Sequence, residues 1–376
     1  MSDSNSSDVL HFNDTFLFDN IPGGFLDLIC RMPVKINIVV VVLFILSFFG
    51  IIGNMCLLLV IFSNQRLRNT PNILIINVAV ADIMYIVSNA PFYMLHELGR
   101  PCWGYGFVAC QLRHYIPQVA QGGCIFSLTS LSRERYVAIV KGLESRISRS
   151  VRRTIMAASF AWIFGLGIGI PVLFLTSTTL GGINCLYMPL RTTASKAYMI
   201  FLFIVVYLIP LVFIAVHYYH IARSLCHSTV TTLAQHSSGS AEQMKGRRRL
   251  AQVVLVITLF FGIFWLPHYV FYMWSFYTKH GHYIEANVPF VRIFRYIDYY
   301  MALANSCLDP WIVFVMSSVH RKTLTKLKSR LVRKARGSYG SGRGGGHRLS
   351  EHTYVKSVNV IDTKCKIFRG ILVFIC

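Results

Sequence analysis

Apolar residues gather into seven long stretches along the chain, at Ile36–Phe62, Asn72–Glu97, Phe107–Val140, Thr154–Thr176, Lys196–Cys226, Leu250–Tyr277 and Val288–Val315. Each has about the 20 residues of helix that a bilayer core about 30 Å thick requires. The third and seventh are the most polar, holding Arg113, Glu134, Arg135, Asp298 and Asp309. They count as spans because these groups fall near the ends or where a bundle interior can hold them. Pro91, Pro117, Pro171, Pro210, Pro267 and Pro310 fall inside spans, where neighbouring helices re-satisfy the freed backbone groups. The pattern predicts an all-α membrane protein, a seven-transmembrane helix bundle over residues 36–315.

After Val315 the period changes. Ser317–Leu331 places Val319, Leu324, Leu327 and Leu331 on one face with bases opposite, which predicts a short amphipathic eighth helix on the inner leaflet, over residues 316–332. Gly337–Gly346 reads as a flexible linker within a cytoplasmic tail, 333–376. The basic-then-apolar ending is too short to span, and its Cys365 and Cys376 are open to either acylation or no role.

Composition agrees: the 376 residues are 54% hydrophobic and 14% charged, against about 25% charged in soluble domains. The net charge of +22 raises the question of nucleic acid, but its location answers otherwise. With the N-terminus outside, nine Lys and Arg lie on outer segments and the other 28 of 37 face the cytoplasm, the bias that sets membrane topology. Residues 1–35 then form an extracellular tail; its first 30 residues hold five Asp, no Lys or Arg, and two glycosylation acceptor patterns, at Asn5 and Asn13. The basic inner segments suit anionic membrane lipid and not nucleic acid.

Cys110 opens span three, and Glu134-Arg135-Tyr136 closes it. Their separation of 25 residues corresponds to roughly 37 Å of helix, placing the cysteine at the outer rim and the arginine at the inner rim. Cys185 follows Gly181-Gly182, a hairpin signal between Thr176–Thr179 and Ile183–Met188. Both cysteines face the oxidising side, so a Cys110–Cys185 bridge is expected; Cys30 and Cys102 are open to a second. Cys56, Cys124, Cys226 and Cys307 read as packing thiols.

Asp82 lies roughly 15 Å into span two, where an isolated carboxylate costs several kcal/mol and is functional by default. Asn54, Asn305, Ser306 and Asp309 can converge on it, and two acids with polar neighbours hold a cation or share a proton; a packing network is the alternative. Trp265-Leu266-Pro267 sets a large aromatic beside a kink in span six, and Asp309-Pro310 an acid before one in span seven.

Together with Gly53-Asn54, Asn77 to Asp82, Trp162, and Pro210 with Tyr218, these motifs resemble the rhodopsin-like class of G protein-coupled receptors, over about residues 36–331. The resemblance implies a plasma-membrane, multi-pass receptor that is not an enzyme. It implies a heterotrimeric G protein partner, of the phospholipase C-coupled type, and arrestin through a phosphorylated tail. Arg135, with Glu134 and Tyr136, becomes the hinge of G-protein engagement, Trp265 beside Pro267 the aromatic toggle, and Asp82 the centre of a sodium-linked pocket. Tyr218, Asp309 and Pro310 join the switch. Three departures matter: Val313 stands where the class has a tyrosine, so no water bridge to Tyr218 forms. Cys124 replaces a serine expected to bind sodium, and Arg247 sits where an acid often locks Arg135.

Pro117 occupies the position of the amine-binding aspartate and Leu303 that of the retinal lysine, which argues against a monoamine and against light sensing. Gly122, Phe126, Leu128-Thr129, Leu131-Ser132, Arg68-Asn69, Pro71-Asn72 and Arg248-Arg249 resemble the bombesin/gastrin-releasing-peptide and CCHamide receptor group, implying an extracellular neuropeptide ligand. Glu97, Arg113, Gln118, Gln121, Tyr269, Tyr272, Arg295 and Asp298 are the expected outer mouth, with loop solvation the alternative for each. A receptor for a non-peptide ligand is the second reading. A transporter or channel is third, and would want inverted repeats or a polar pore, neither visible here.

Overall fold

The computed structural model describes residues 38–98, 103–141, 151–179, 184–188, 192–231, 238–277 and 289–340. Seven long helices lie among them: α1 (Ile38–Phe62), α2 (Thr70–Glu97), α3 (Gly106–Ile139), α4 (Val151–Leu175), α5 (Thr193–Thr231), α6 (Ser238–Tyr277) and α7 (Pro289–Met316). They follow the seven expected spans, with α6 running twelve residues further inward than expected. α8 (Ser318–Gly340) follows. Asn5, Asn13, Cys30, Cys102, Cys365, Cys376 and the Arg247 side chain lie outside the described residues.

α1, α2, α4, α5 and α6 are each long and apolar enough to cross a bilayer. Their outward faces carry large apolar side chains such as Phe174, Ile163 and Phe44, a surface suited to lipid tails and costly in water. α3 and α7 are more polar because they turn their polar groups inward. Gln118, Gln121, Ser127, Ser132 and Arg135 of α3 are buried, as are Asp298, Asn305, Ser306 and Asp309 of α7. α3 is thus the central pillar, touching α2, α4, α5 and α6.

Close helix approach rests on missing side chains. A Cβ at Gly165 would stand 2.8 Å from the Val119 carbonyl oxygen, and one at Gly122 would stand 2.9 Å from the Gly165 Cα, so α3 and α4 meet backbone to backbone. This is the small-residue packing that substitutes for a hydrophobic driving force inside lipid.

The prolines are absorbed in different ways. Around Pro210 the helix widens: Phe203–Leu208 is a π-helical turn in which the Ile209 N–H donates to the Ile204 carbonyl, five residues back. That extra residue per turn makes room for a ring with no N–H to give. At the inner end α7 breaks at Ser317 and α8 leaves at 93°. Arg321 donates to the Phe314 and Val315 carbonyls at the last turn of α7, and Asn64 Nδ2 donates to Thr323 Oγ1 at 3.2 Å, docking α8 on α1. α8 continues to Gly340, past the expected end at 332. The first glycines of the 337–346 stretch are therefore helical, because a 23-residue helix already nucleated and docked propagates through a few poor formers.

Candidate functional site

The outer end is roofed by a two-stranded hairpin, β1 (Ser177–Thr179) and β2 (Asn184–Leu186), with Thr178 opposite Cys185. The Cys110–Cys185 disulfide ties this hairpin to the top of α3 with the Cα atoms 5.6 Å apart, as expected. His114, one turn deeper, faces Cys185 Sγ at 3.4 Å and lies 5.0 Å from the Tyr187 ring. Burial, and after it the nearby Asp298, push the Tyr187 hydroxyl above its ordinary range, so the roof is a proton-retaining phenol.

Beneath the hairpin is a cavity of about 600 Å³, counted to its open mouth. Its walls come from α2, α3, α6 and α7, with Tyr187 above and Trp265 in the floor. Among the residues expected there, Arg113, Gln118, Gln121, Tyr272 and Asp298 line it. The Arg113 guanidinium lies 5.0 Å from the Phe92 ring centroid and 5.5 Å from that of Trp103, held by rings at the mouth. Gln118 donates to Gln121 Oε1 at 3.3 Å, and Gln121 donates to the Tyr269 hydroxyl at 3.1 Å. Across the cavity His268 Nδ1 and Asp298 Oδ1 are 2.9 Å apart, joining α6 to α7.

Midway down, Asp82, Cys124 and Asp309 bring one ligand atom each within 4.8 Å of one another. Ser306 hydrogen-bonds Asp82, and Asn54 donates to the Gly50 and Ser306 carbonyls at 3.1 and 3.0 Å. Asn54, Ser306 and Asp309 thus stand with Asp82, and Asn305 is buried in α7 next to Ser306 in sequence. Asp82 Oδ2, both Asp309 oxygens, Asn54 Oδ1 and Asn305 Oδ1 are buried and meet no donor among the described residues. A cluster of bare acceptor oxygens fits a small hard cation or a proton between the carboxylates, and the Cys124 thiol is the one soft member.

Above that cluster Trp265 is buried edge-on to Tyr85, with ring centroids 5.4 Å apart, two residues before Pro267. At the inner end Arg135 is buried, and Tyr136 stacks on His217 at 5.4 Å. His217 Nδ1 lies 2.9 Å from Ser132 Oγ. The Tyr218 hydroxyl donates to the Ala251 carbonyl at 2.7 Å, so it ties α5 to α6, while Val313 is a buried apolar residue of α7.

The family model described as 7 transmembrane receptor (rhodopsin family) matches residues 53–312. The chain belongs to this family. The receptor is similar to the neuropeptide CCHamide-1 receptor of Drosophila melanogaster, 32% identical over 302 residues that cover 76% of this chain and 59% of the fly protein. It is also similar to bombesin receptor subtype-3 of Ovis aries, 28% identical over 314 residues, covering 81% of this chain and 75% of the sheep protein. This chain thus spans less than two thirds of the fly relative's length. Membership makes it a multi-pass plasma-membrane receptor and not an enzyme.

The receptor's cavity differs from the expected mouth in three residues. Glu97 and Arg295 lie outside its lining: Glu97 is one turn, about 6 Å, outward of Tyr93, and Arg295 is one turn outward of Asp298 and Tyr299. Tyr269 is buried behind the wall, packed on Tyr207 at 4.9 Å and hydrogen-bonded by Gln121. Conversely Tyr85, Asn89, Tyr93, His114, His268 and Tyr299 line the cavity unforeseen. The residue three on from Trp265 and the residue four before Glu97, His268 and Tyr93, carried that signal, since a helix face repeats at this spacing.

Proposed function

We propose that the receptor binds an extracellular neuropeptide with its N-terminus outside the cell and activates an intracellular heterotrimeric G protein. The observation that supports this most is the outer cavity itself. It is polar, roofed by a disulfide-tied hairpin, floored by Trp265 beside Pro267, and its walls mix Tyr rings with Arg113, two glutamines and an acid. Peptides offer this mixture of amides, charges and rings, and both relatives named above carry peptide names.

Arg135, between Glu134 and Tyr136 at the inner end of α3, and Tyr218 between α5 and α6 are the residues through which a ligand-driven movement of α6 reaches the G protein. Asp82 with Asp309, Asn54, Asn305 and Ser306 forms the polar hinge between the two ends. Arrestin at a phosphorylated tail and anionic lipid beneath the basic face of α8 complete the partners. The test is nucleotide exchange by purified heterotrimeric G protein in the presence of the receptor and a neuropeptide library. Stimulated exchange supports the reading; ion flux through receptor-loaded liposomes without exchange rejects it.

A further inference from the structure

The cavity contains one group whose chemistry is unfinished. Asp298 is 1% exposed, and its Oδ1 is taken by His268. Its Oδ2 is buried and has no partner among the described residues. A buried carboxylate oxygen left without a hydrogen bond keeps the full cost of its lost hydration, so this atom is a strong demand for an incoming N–H donor. His268 fixes the carboxylate's orientation, and is itself wedged between the rings of Trp265 at 5.5 Å and Tyr272 at 4.7 Å.

The surroundings say which donor. Tyr85, Tyr93, Tyr187, Tyr272, Tyr299 and Trp265 line the same cavity. Ring faces attract cations, more strongly once water is displaced. Among the described lining residues the one Lys or Arg is Arg113, and its guanidinium sits against Phe92 and Trp103 at the mouth. An acid with a free oxygen inside a box of rings is built for a positive group arriving from outside.

We propose that Asp298, oriented by His268, is the recognition point for a basic group of the ligand, a guanidinium or an ammonium carried by the peptide. This deepens the peptide-receptor reading and rests on it. The site selects by charge, because a neutral isostere arriving at Oδ2 supplies a hydrogen bond without the ion pairing or the attraction to the rings.

Two measurements test it. The first uses the purified full-length receptor in lipid nanodiscs with N-acetyl-arginine amide and its uncharged twin, N-acetyl-citrulline amide, at millimolar concentration. A group that binds the folded state raises the melting temperature. The arginine compound should raise it, the citrulline compound should not, and the difference should vanish in Asp298→Asn and in the smaller Asp298→Ser. Equal shifts from the two compounds, or a difference that persists in a folded Asp298 variant, overturn the proposal. The second uses two matched pools of amidated peptides, one with Arg and Lys and one with citrulline and acetyl-lysine at the same positions. The charged pool should drive nucleotide exchange at least about thirty-fold more potently, the loss expected when a buried charge loses its partner. Equal potency overturns the proposal. Silence of both pools rejects the peptide-receptor reading, and the melting shifts alone then decide the cation site.

Discussion

His268 and Asp298 meet at 2.9 Å one helical turn above Trp265, so the outer halves of α6 and α7 are joined directly over the aromatic floor. Replacing His268 by Phe keeps a ring against Trp265 and Tyr272 but leaves both Asp298 oxygens unpaired. We expect a loss of about 1–3 kcal/mol of stability, read as a lower melting temperature of the unliganded receptor in detergent. An unchanged melting temperature would mean that the bond holds nothing together.

The hairpin roof depends on one covalent tie spanning 75 residues of sequence. Cys110→Ala or Cys185→Ala should lower surface expression and ligand binding, with a stability loss of about 2–4 kcal/mol. Flow cytometry and saturation binding check this; two variants that bind normally would show that the roof does not need its tie.

Asp82 and Asp309 face each other amid oxygens that lack donors. Like charges this close in a low dielectric resist joint ionisation, so we propose that a proton or a sodium ion is shared between them. Cys124 is a poor sodium ligand because sulfur is soft and sodium favours hard oxygen. We expect agonist affinity to vary little with sodium at constant ionic strength, and to acquire its pH dependence from this pair, so that Asp309→Asn removes it. Strong sodium inhibition that survives Asp309→Asn would restore Asp82 as an ordinary cation site.

His320 anchors the start of α8, 2.6 Å from Ser317 Oγ, and burial pushes its imidazole down to about 4. Its folded value lies below the ordinary 6.5, so the undocked state binds the extra proton between those two values. Docking of α8 is therefore at full strength above pH 6.5 and weakens as pH falls from 6.5 towards 4, by about 2 kcal/mol at pH 5. The protection factors of the α8 amides, corrected for the intrinsic pH dependence of exchange, should fall over that interval in the wild type and stay flat in His320→Gln.

The bundle was legible because membrane spans are read from bulk apolarity, and each observed helix lies within a few residues of its expected start, except α6. That helix continues inward through Ser238–Gly246, a polar stretch that carries no apolar signal. The inward facing of Asp82, Asn54, Asn305, Ser306 and Asp309 was legible too, since intramembrane polar residues have nowhere to go but inward. The cavity was only half legible. Asp298 and Arg113 announce themselves by charge, whereas Tyr93, Tyr299 and His268 are ring-bearing residues whose facing depends on helix rotation. Packing settles that rotation, as in the 4.4 Å stacking of Tyr93 on Tyr299. The π turn before Pro210 was hidden because a proline announces a disturbance and not its form.

We propose that a ligand at the outer cavity acts on a G protein through the inner end of α3, where Arg135 is buried beside Tyr136. The decisive measurement is peptide-stimulated nucleotide exchange by purified G protein, made with wild-type receptor and with Arg135→Ala at equal amounts and with peptide binding measured in parallel. Stimulated exchange is expected in the wild type and none in Arg135→Ala, with peptide affinity in the variant within a few-fold of normal. Full exchange by Arg135→Ala at matched receptor density would contradict it.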